Sequence, residues 1–224
     1  MFDAVRCFYG GVKKSFASLF IPPTGLIIGM YDPAKTATVD YEPVKVISAD
    51  DVALKAGFGS HAHRQALRFP SSVFLQGGGV YWIPIPEESG GTPADETVTF
   101  AGTASSSGTL YFSVGGELVQ VAVSSGDAAA DVAQAFDDAV TAISKVAVTT
   151  GTVSAVVTLT AKFKGTQGNQ ILIVANPAGS SQEDENPAGI TVTLENSDGY
   201  LDGGATDPDI EDAFFDSEGN DILG

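Results

Sequence analysis

One cysteine, Cys7, is all that 224 residues contain. No internal disulfide framework can therefore exist, and at this length a hydrophobic core forms without one. Histidine is nearly as scarce, with His61 and His63 alone. Zinc sites draw on three or four ligands, so two histidines and a distant thiol do not make one. Long hydrophobic runs are missing too. The longest, around Gly25–Met30 and Gly79–Ile85, are far shorter than the roughly 20 apolar residues of a membrane span. Lys13 and Lys14 lie near the N-terminus, but the apolar stretch and small-residue cleavage site of a leader peptide do not accompany them, and the pattern predicts no secretory leader. Basic residues stop at Lys164, after which thirteen acids follow.

What is present is acidic and apolar. The formal net charge of −17 argues against capture of nucleic acid or insertion at an anionic membrane, both of which need a basic footprint. It fits a halophilic or marine source and a general solubility role equally well. Hydrophobic residues make up 43% and charged residues 17%, the balance of a globular protein with extensive buried or contact surface. The charge is uneven: up to Arg68 eight Lys/Arg meet six Asp/Glu. A solvated acidic surface accounts for the rest of the chain, and a head-to-tail polymer joining a balanced end to an acidic one accounts for it too.

The organisation changes along the chain. Met1–Phe20 places Gly10–Gly11 among Phe2, Phe8, Tyr9, Phe16 and Phe20, too aromatic for a disordered tail and too unpatterned for a core of its own; an arm that packs on something else explains both. Pro22–Pro23 then breaks the chain. From Gly25 to Pro86 the pattern reads strand, strand, helix, helix, strand. Leu26–Ile28 and Val44–Ile47 are short apolar runs, Ser48 and Ser60 are N-cap residues, Gly57 and Gly59 close the first helix, the second extends toward Phe74, and Val80–Ile85 is a strand apolar on both faces. Strands alternating with helices predict an α/β layer with right-handed crossovers.

Glu87–Glu96 is a polar boundary, after which the period switches to two. Leu110, Phe112 and Val114 alternate with Thr109, Tyr111 and Ser113; Gly115–Gly116 supplies a hairpin turn; and Val119, Val121 and Val123 return. Asp127–Ile143 is an amphipathic helix with Ser125 as its cap, Ala129, Val132, Ala133, Phe136, Val140 and Ile143 as its apolar stripe, and Lys145 at its carboxyl end. Ala155–Phe163, Ile171–Ala175 and Ile190–Leu194 supply further strands, the last two separated by the polar loop Asn176–Gly189. These predict one antiparallel sheet with one helix, inserted in the α/β layer. The fold class is α+β.

Reactive constellations are thin. His61 and His63 lie two apart on the predicted second helix, where they point in different directions, and read as surface or interface histidines beside Arg64. Cys7 has no activating base near it in sequence. Gly165–Asn169 (GTQGN) has the glycines of a phosphate loop without the Gly-Lys-Ser/Thr that follows one, so a strand-to-strand turn accounts for it. The acids from Asp198 through Asp221 carry many oxygens but not the spacing of an EF-hand; solvated loops explain them, with calcium the other reading. No Gly-x-Ser-x-Gly elbow is present. The expectation is no enzyme, no catalytic residue, no metal and no cofactor.

Three stretches carry a family resemblance. Gly102–Leu110 (GTASSSGTL), Val119–Val123, Gly126–Ala133 and Leu159–Asn169 (LTAKFKGTQGN) are similar in wording and order to the inserted domain of contractile tail sheath proteins of the Mu-like phage kind. Ile47–Phe69 (ISADDVALKAGFGSHAHRQALRF) resembles their strand-to-helix passage with its glycine turn, and Leu201–Phe214 (LDGGATDPDIEDAF) the Gly-Gly-x-x-x-Pro-Asp lead into the next core helix. The resemblance implies a structural virion protein: a sheath subunit of a bacteriophage or phage-like injection device that polymerises around the tail tube and contracts to drive it through the host envelope. Its implied partners are copies of itself in stacked hexameric rings, the tail tube protein, the baseplate and the tail terminator. Its implied place is the virion tail, assembled in the host cytoplasm, with host genome ejection as the outcome. By the same resemblance 1–20 is an N-terminal arm, 21–91 the first part of a conserved inner domain, 92–202 an outward-facing insertion and 203–224 the return to the inner domain. Sheath proteins continue past that point, so the resemblance covers their N-terminal half. A ligand-binding or decoration module on a virion or cell surface is the alternative reading, and a hydrolase the third.

Overall fold

A computed structural model of the chain describes residues 8–9, 12–13, 25–34, 40–75, 79–177 and 187–210. The fold is mixed α+β, with four helices and three sheets of three or four strands among the described residues. In addition, β1 (Phe8–Tyr9) and β2 (Val12–Lys13) pair antiparallel, Phe8 opposite Lys13. The remainder of the expected arm, Cys7, the Pro22–Pro23 break and residues 211–224 lie outside the described residues.

Residues 25–86 build a small sheet in the order β3 (Gly25–Tyr31), β5 (Val80–Pro86), β4 (Val44–Val46). β3 runs parallel to β5, and β4 runs antiparallel to it, so the expected α/β layer is a mixed sheet. One face is covered by helices. Ile27, Val80 and Trp82 pack there with Val52, Ala56, Ala62 and Ala66, and the Trp82 indole N–H donates to the Gly29 carbonyl at 3.0 Å. Gly29 has a steric reason: a Cβ there would lie 2.6 Å from the Cα of Ala62.

The helices begin where the sequence predicts. Ser48 Oγ accepts from the Asp51 N–H at the start of α1 (Ala49–Ala56), and Ser60 Oγ accepts from the His63 N–H at the start of α2 (His61–Ala66). Each satisfies one of the orphan donors of a first turn. Gly57 closes α1 with φ 96°. The second helix does not run on to Phe74. It ends at Ala66, and Pro70 separates it from a single further turn, α3 (Ser71–Phe74), because proline has no N–H to donate and disfavours helical backbone in the residue before it.

Residues 93–194 form two antiparallel sheets rather than the single one expected. One has the order β12 (Ile190–Leu194), β6 (Pro93–Gly102), β10 (Val156–Lys164), β9 (Val148–Val153). The other has the order β11 (Ile173–Ala175), β7 (Gly108–Val114), β8 (Glu117–Val123). β7 and β8 are a two-residue hairpin with Gly115 and Gly116 at φ 58° and 90°, the positive values such a turn requires. β9 was not legible: VTTGTV has no apolar alternation, and as an edge strand it buries little. Its register is fixed from the side, where Thr150 and Thr152 both donate hydroxyls to the Asp137 carboxylate.

α4 (Ala129–Thr141) lies on this pair of sheets, burying Val132, Ala133, Phe136 and Val140 and exposing Asp131, Gln134, Asp138 and Thr141. It starts later than expected. Ser125 does not cap it; its hydroxyl donates to the Ser105 carbonyl. The Asp131 carboxylate instead accepts the Ala128 N–H at 3.1 Å, placing an acid in the first turn where the helix dipole favours it. Lys145, beyond the helix end, pairs with Glu117 at 2.7 Å. Phe100, Phe112 and Phe136 meet with ring centroids 4.5–6.1 Å apart. Met30, Ile83 and Ile85, from the other face of the β3–β5 sheet, join this same core, so the small sheet is covered on both sides.

Candidate functional site: a clasped neck, a helix bolt and exposed apolar side chains

The chain passes into residues 93–194 and out again side by side. Thr92 bridges Ala205 and Asp95 bridges Asp202, with N–H to carbonyl distances of 2.9–3.2 Å in both directions. A third segment closes over them. The GTQGN stretch is not a bare turn: Gly165 opens a turn of 3-10 helix over Thr166–Gln170. The Asn169 side chain donates to the Gly204 carbonyl at 3.1 Å and accepts its N–H at 2.9 Å. Asp207 accepts both the Thr166 N–H, at 2.7 Å, and the Thr166 hydroxyl. Lys164 reaches the Ser89 carbonyl at 3.0 Å. Gly204 must be glycine, since a Cβ there would fall 2.5 Å from the Gly165 carbonyl oxygen and 2.6 Å from Asn169 Oδ1. Two of the stretches singled out in the sequence, GTQGN and LDGGATDPD, thus hold each other at this neck. Asn169 and Asp207 act there as clamps, a role their spacing in sequence did not reveal.

The histidines sit on α2 where it meets the rest of the molecule. His61 Nδ1 accepts the Met30 N–H at 3.3 Å, and its ring lies 5.6 Å from that of Phe163 on β10. His63 is fully buried; its Nδ1 accepts the Gly59 N–H at 2.9 Å, and its ring lies 5.6 Å from that of Phe58. Burial pushes both imidazoles below their ordinary value, because charge is poorly solvated there. Arg64 on the same helix donates to the Gly115 carbonyl at 2.9 Å. The two histidines engage different backbone groups, and among the described residues no group of three or more His, Cys, Asp or Glu is arranged to hold a metal ion. Of the C-terminal acids, Asp198 accepts the Tyr200 N–H and Asp207 is used in the neck; those beyond Asp209 lie outside the described residues.

Glu96, expected at the end of a polar boundary, is instead a buried residue of a strand. Glu96 on β6 is 1% exposed and accepts the Asn196 N–H at 3.0 Å. Burial raises its pKa against the opposing effect of those bonds. It orders the turn after β12. A groove of about 220 Å³ lies between β7, β11 and β12, lined by Tyr111, Asn176 and Val192 among others. That is below the roughly 300–1,000 Å³ of small-molecule sites.

The surface of residues 25–86 is unusual in what it exposes. Ile47 is 65% exposed, Leu54 74% and Leu75 81%, with Leu26, Phe58 and Leu67 also outward. Within α1, Val52, Ala53 and Ala56 face inward and Leu54 faces outward, while Ile47 and Phe58 lie just beyond its two ends. Exposed apolar side chains, where they gather, mark contact surfaces. Among the described residues β3 is also a sheet edge. Gly25 N–H and Tyr31 carbonyl face β5, through bonds to Gly79 and Glu87, so the N–H groups of Leu26, Ile28 and Met30 point to the outer edge.

No protein-family model matches the chain. Over 130 residues it is 31% identical to the Mu-like prophage FluMu tail sheath protein of Haemophilus influenzae, a match covering 58% of this chain and 25% of that protein. Over that stretch the chain is similar to a tail sheath protein. The match spans about a quarter of the relative's length.

Proposed function

We propose that the chain is part of a structural, non-enzymatic subunit of a contractile phage tail or phage-like injection device. It polymerises as a sheath around a tail tube, and contraction of the sheath drives the tube through the host envelope. Similarity to a tail sheath protein supports this reading, and the observation that carries it is the number of large apolar side chains that residues 25–86 leave exposed, Ile47, Leu54 and Leu75 above all. Such side chains are what a subunit covered by its neighbours presents. In this reading residues 21–91 belong to the inner, polymerising layer, 92–202 to an outward insertion, and 203–224 return to the inner layer. Stacked hexameric rings, tube, baseplate and terminator are the partners, in a virion tail assembled in the host cytoplasm.

The arm 1–20 adds a strand to a neighbour's sheet, where main-chain hydrogen bonds hold subunits together while the connecting chain lets them rotate. Among the described residues the β3 edge at Leu26 and Ile28 has no neighbouring strand, and it is the acceptor in this reading. The clasped neck makes the outer part follow the inner layer when the lattice changes. Deleting Met1–Phe20 is therefore expected to abolish assembly while leaving the 93–194 core folded, as read by electron microscopy for assembly and by near-ultraviolet circular dichroism for the core. Undiminished assembly after the deletion would remove the arm from the account.

A further inference from the structure

We infer that His61 and His63 form an acid-sensitive lock that holds α2 against the β3 edge and against the 93–194 core. The lock is independent of what the assembled protein does. Both rings use the same atom in the same way: Nδ1 accepts a main-chain N–H, from Met30 for His61 and from Gly59 for His63. Accepting at Nδ1 requires the neutral ring, with its proton on Nε2; at His61 that nitrogen faces the Gln65 side-chain amide at 3.1 Å, which takes the proton with its oxygen turned toward the ring. A second proton would land on Nδ1, facing an N–H donor about 3 Å away, and each bond would turn into a donor–donor contact. For His63 the position is tighter still. Its Nε2 is buried with no hydrogen-bond partner, so the charged ring would gain nothing on its other side.

The surroundings do not rescue the cation. His63 faces Asp50 from α1, against Lys162 from β10 and Arg64 from its own helix. His61 faces Arg64 and, from the exit segment, Asp207, whose carboxylate is already engaged by Thr166. Burial outweighs the two acids at both rings. The sign follows: folded-state values lie below the unperturbed 6.5. The lock is therefore at full strength above about pH 6.5 and weakens as pH falls below it, because the opened form takes up protons that the closed form refuses.

Two contacts would be released. Gly59 is packed so closely on the Val146 carbonyl and the Lys162 stem that no side chain fits there. Loss of its bond to His63 therefore loosens α2 from the core. Loss of the His61 bond frees the Met30 N–H on the outer edge of β3, lengthening the row of donors that edge offers.

Amide exchange on the whole chain tests this, read as protection factors so that the intrinsic pH dependence of exchange is removed. Protection at Met30 and Gly59 is expected to fall by up to about fivefold per histidine over the pH unit below 6.5. His61→Asn with His63→Asn, whose Oδ1 replaces the accepting Nδ1 and cannot titrate, is expected to remove that pH response. Flat protection in the wild type, or the same fall in the double variant, would overturn the lock. Should the variant not fold, the wild-type rings decide by NMR titration: midpoints below 6.5 support the lock, and a midpoint at or above 6.5 for either ring overturns it.

Discussion

Phe136→Ala is expected to lower the melting temperature by roughly 10 °C. Phe136 is fully buried and meets both Phe100 and Phe112, one from each of the two antiparallel sheets. Removing the ring deletes transfer energy and leaves a cavity that β-sheets on two sides cannot collapse around, at a cost of about 3–5 kcal/mol. For a chain of this size each kcal/mol shifts the midpoint by about 2–4 °C. Differential scanning calorimetry reads it directly. A drop of only a degree or two would mean that the three rings are not the keystone joining sheets and helix.

Gly204→Val is expected to destabilise by about 3–5 kcal/mol and to expose the neck to limited proteolysis. Overpacking against the Gly165 carbonyl and Asn169 accounts for about 1–3 kcal/mol. Both Asn169 hydrogen bonds to Gly204 are lost with it, at about 1 kcal/mol net each. Asn169→Ala removes the same two bonds without the clash and is expected to lose about half as much. Gly151→Val on β9, where a Cβ meets open space, controls for the bulk of the new side chain and is expected to be neutral. Equal midpoints for the Gly204 and Gly151 variants would show that the neck is not clasped.

Legibility followed local chemistry. Ser48, Ser60 and Gly57 mark helix ends through bonds to residues three or four positions away, so they were readable without the fold. Gly115–Gly116 and the alternation around it were readable for the same reason, and so was the stripe of α4. The division of the strands into two sheets was not, because which strand neighbours which is set by packing around Phe136 and not by any one strand's pattern. β9 failed as a polar edge strand held by Asp137 from a helix. At the candidate site, GTQGN and LDGGATDPD were recognisable as stretches, but their mutual clasp joins residues 35 to 41 positions apart. The histidines could be placed on one helix and set beside Arg64; that each accepts a different main-chain N–H required the backbone of β3 and of the α1–α2 turn.

The claim everything else leans on is that residues 25–86 present a surface made to be covered by other copies. Sedimentation velocity over a wide range of protein concentration, with negative-stain electron microscopy of the same samples, tests it most directly. The account predicts concentration-dependent oligomers, rings or tubes for the wild type. It also predicts their loss in Ile47→Glu/Leu54→Glu, a change at two outward side chains that leaves the melting temperature where it was. A monomer at every concentration, or a double variant that assembles as the wild type does, would contradict it.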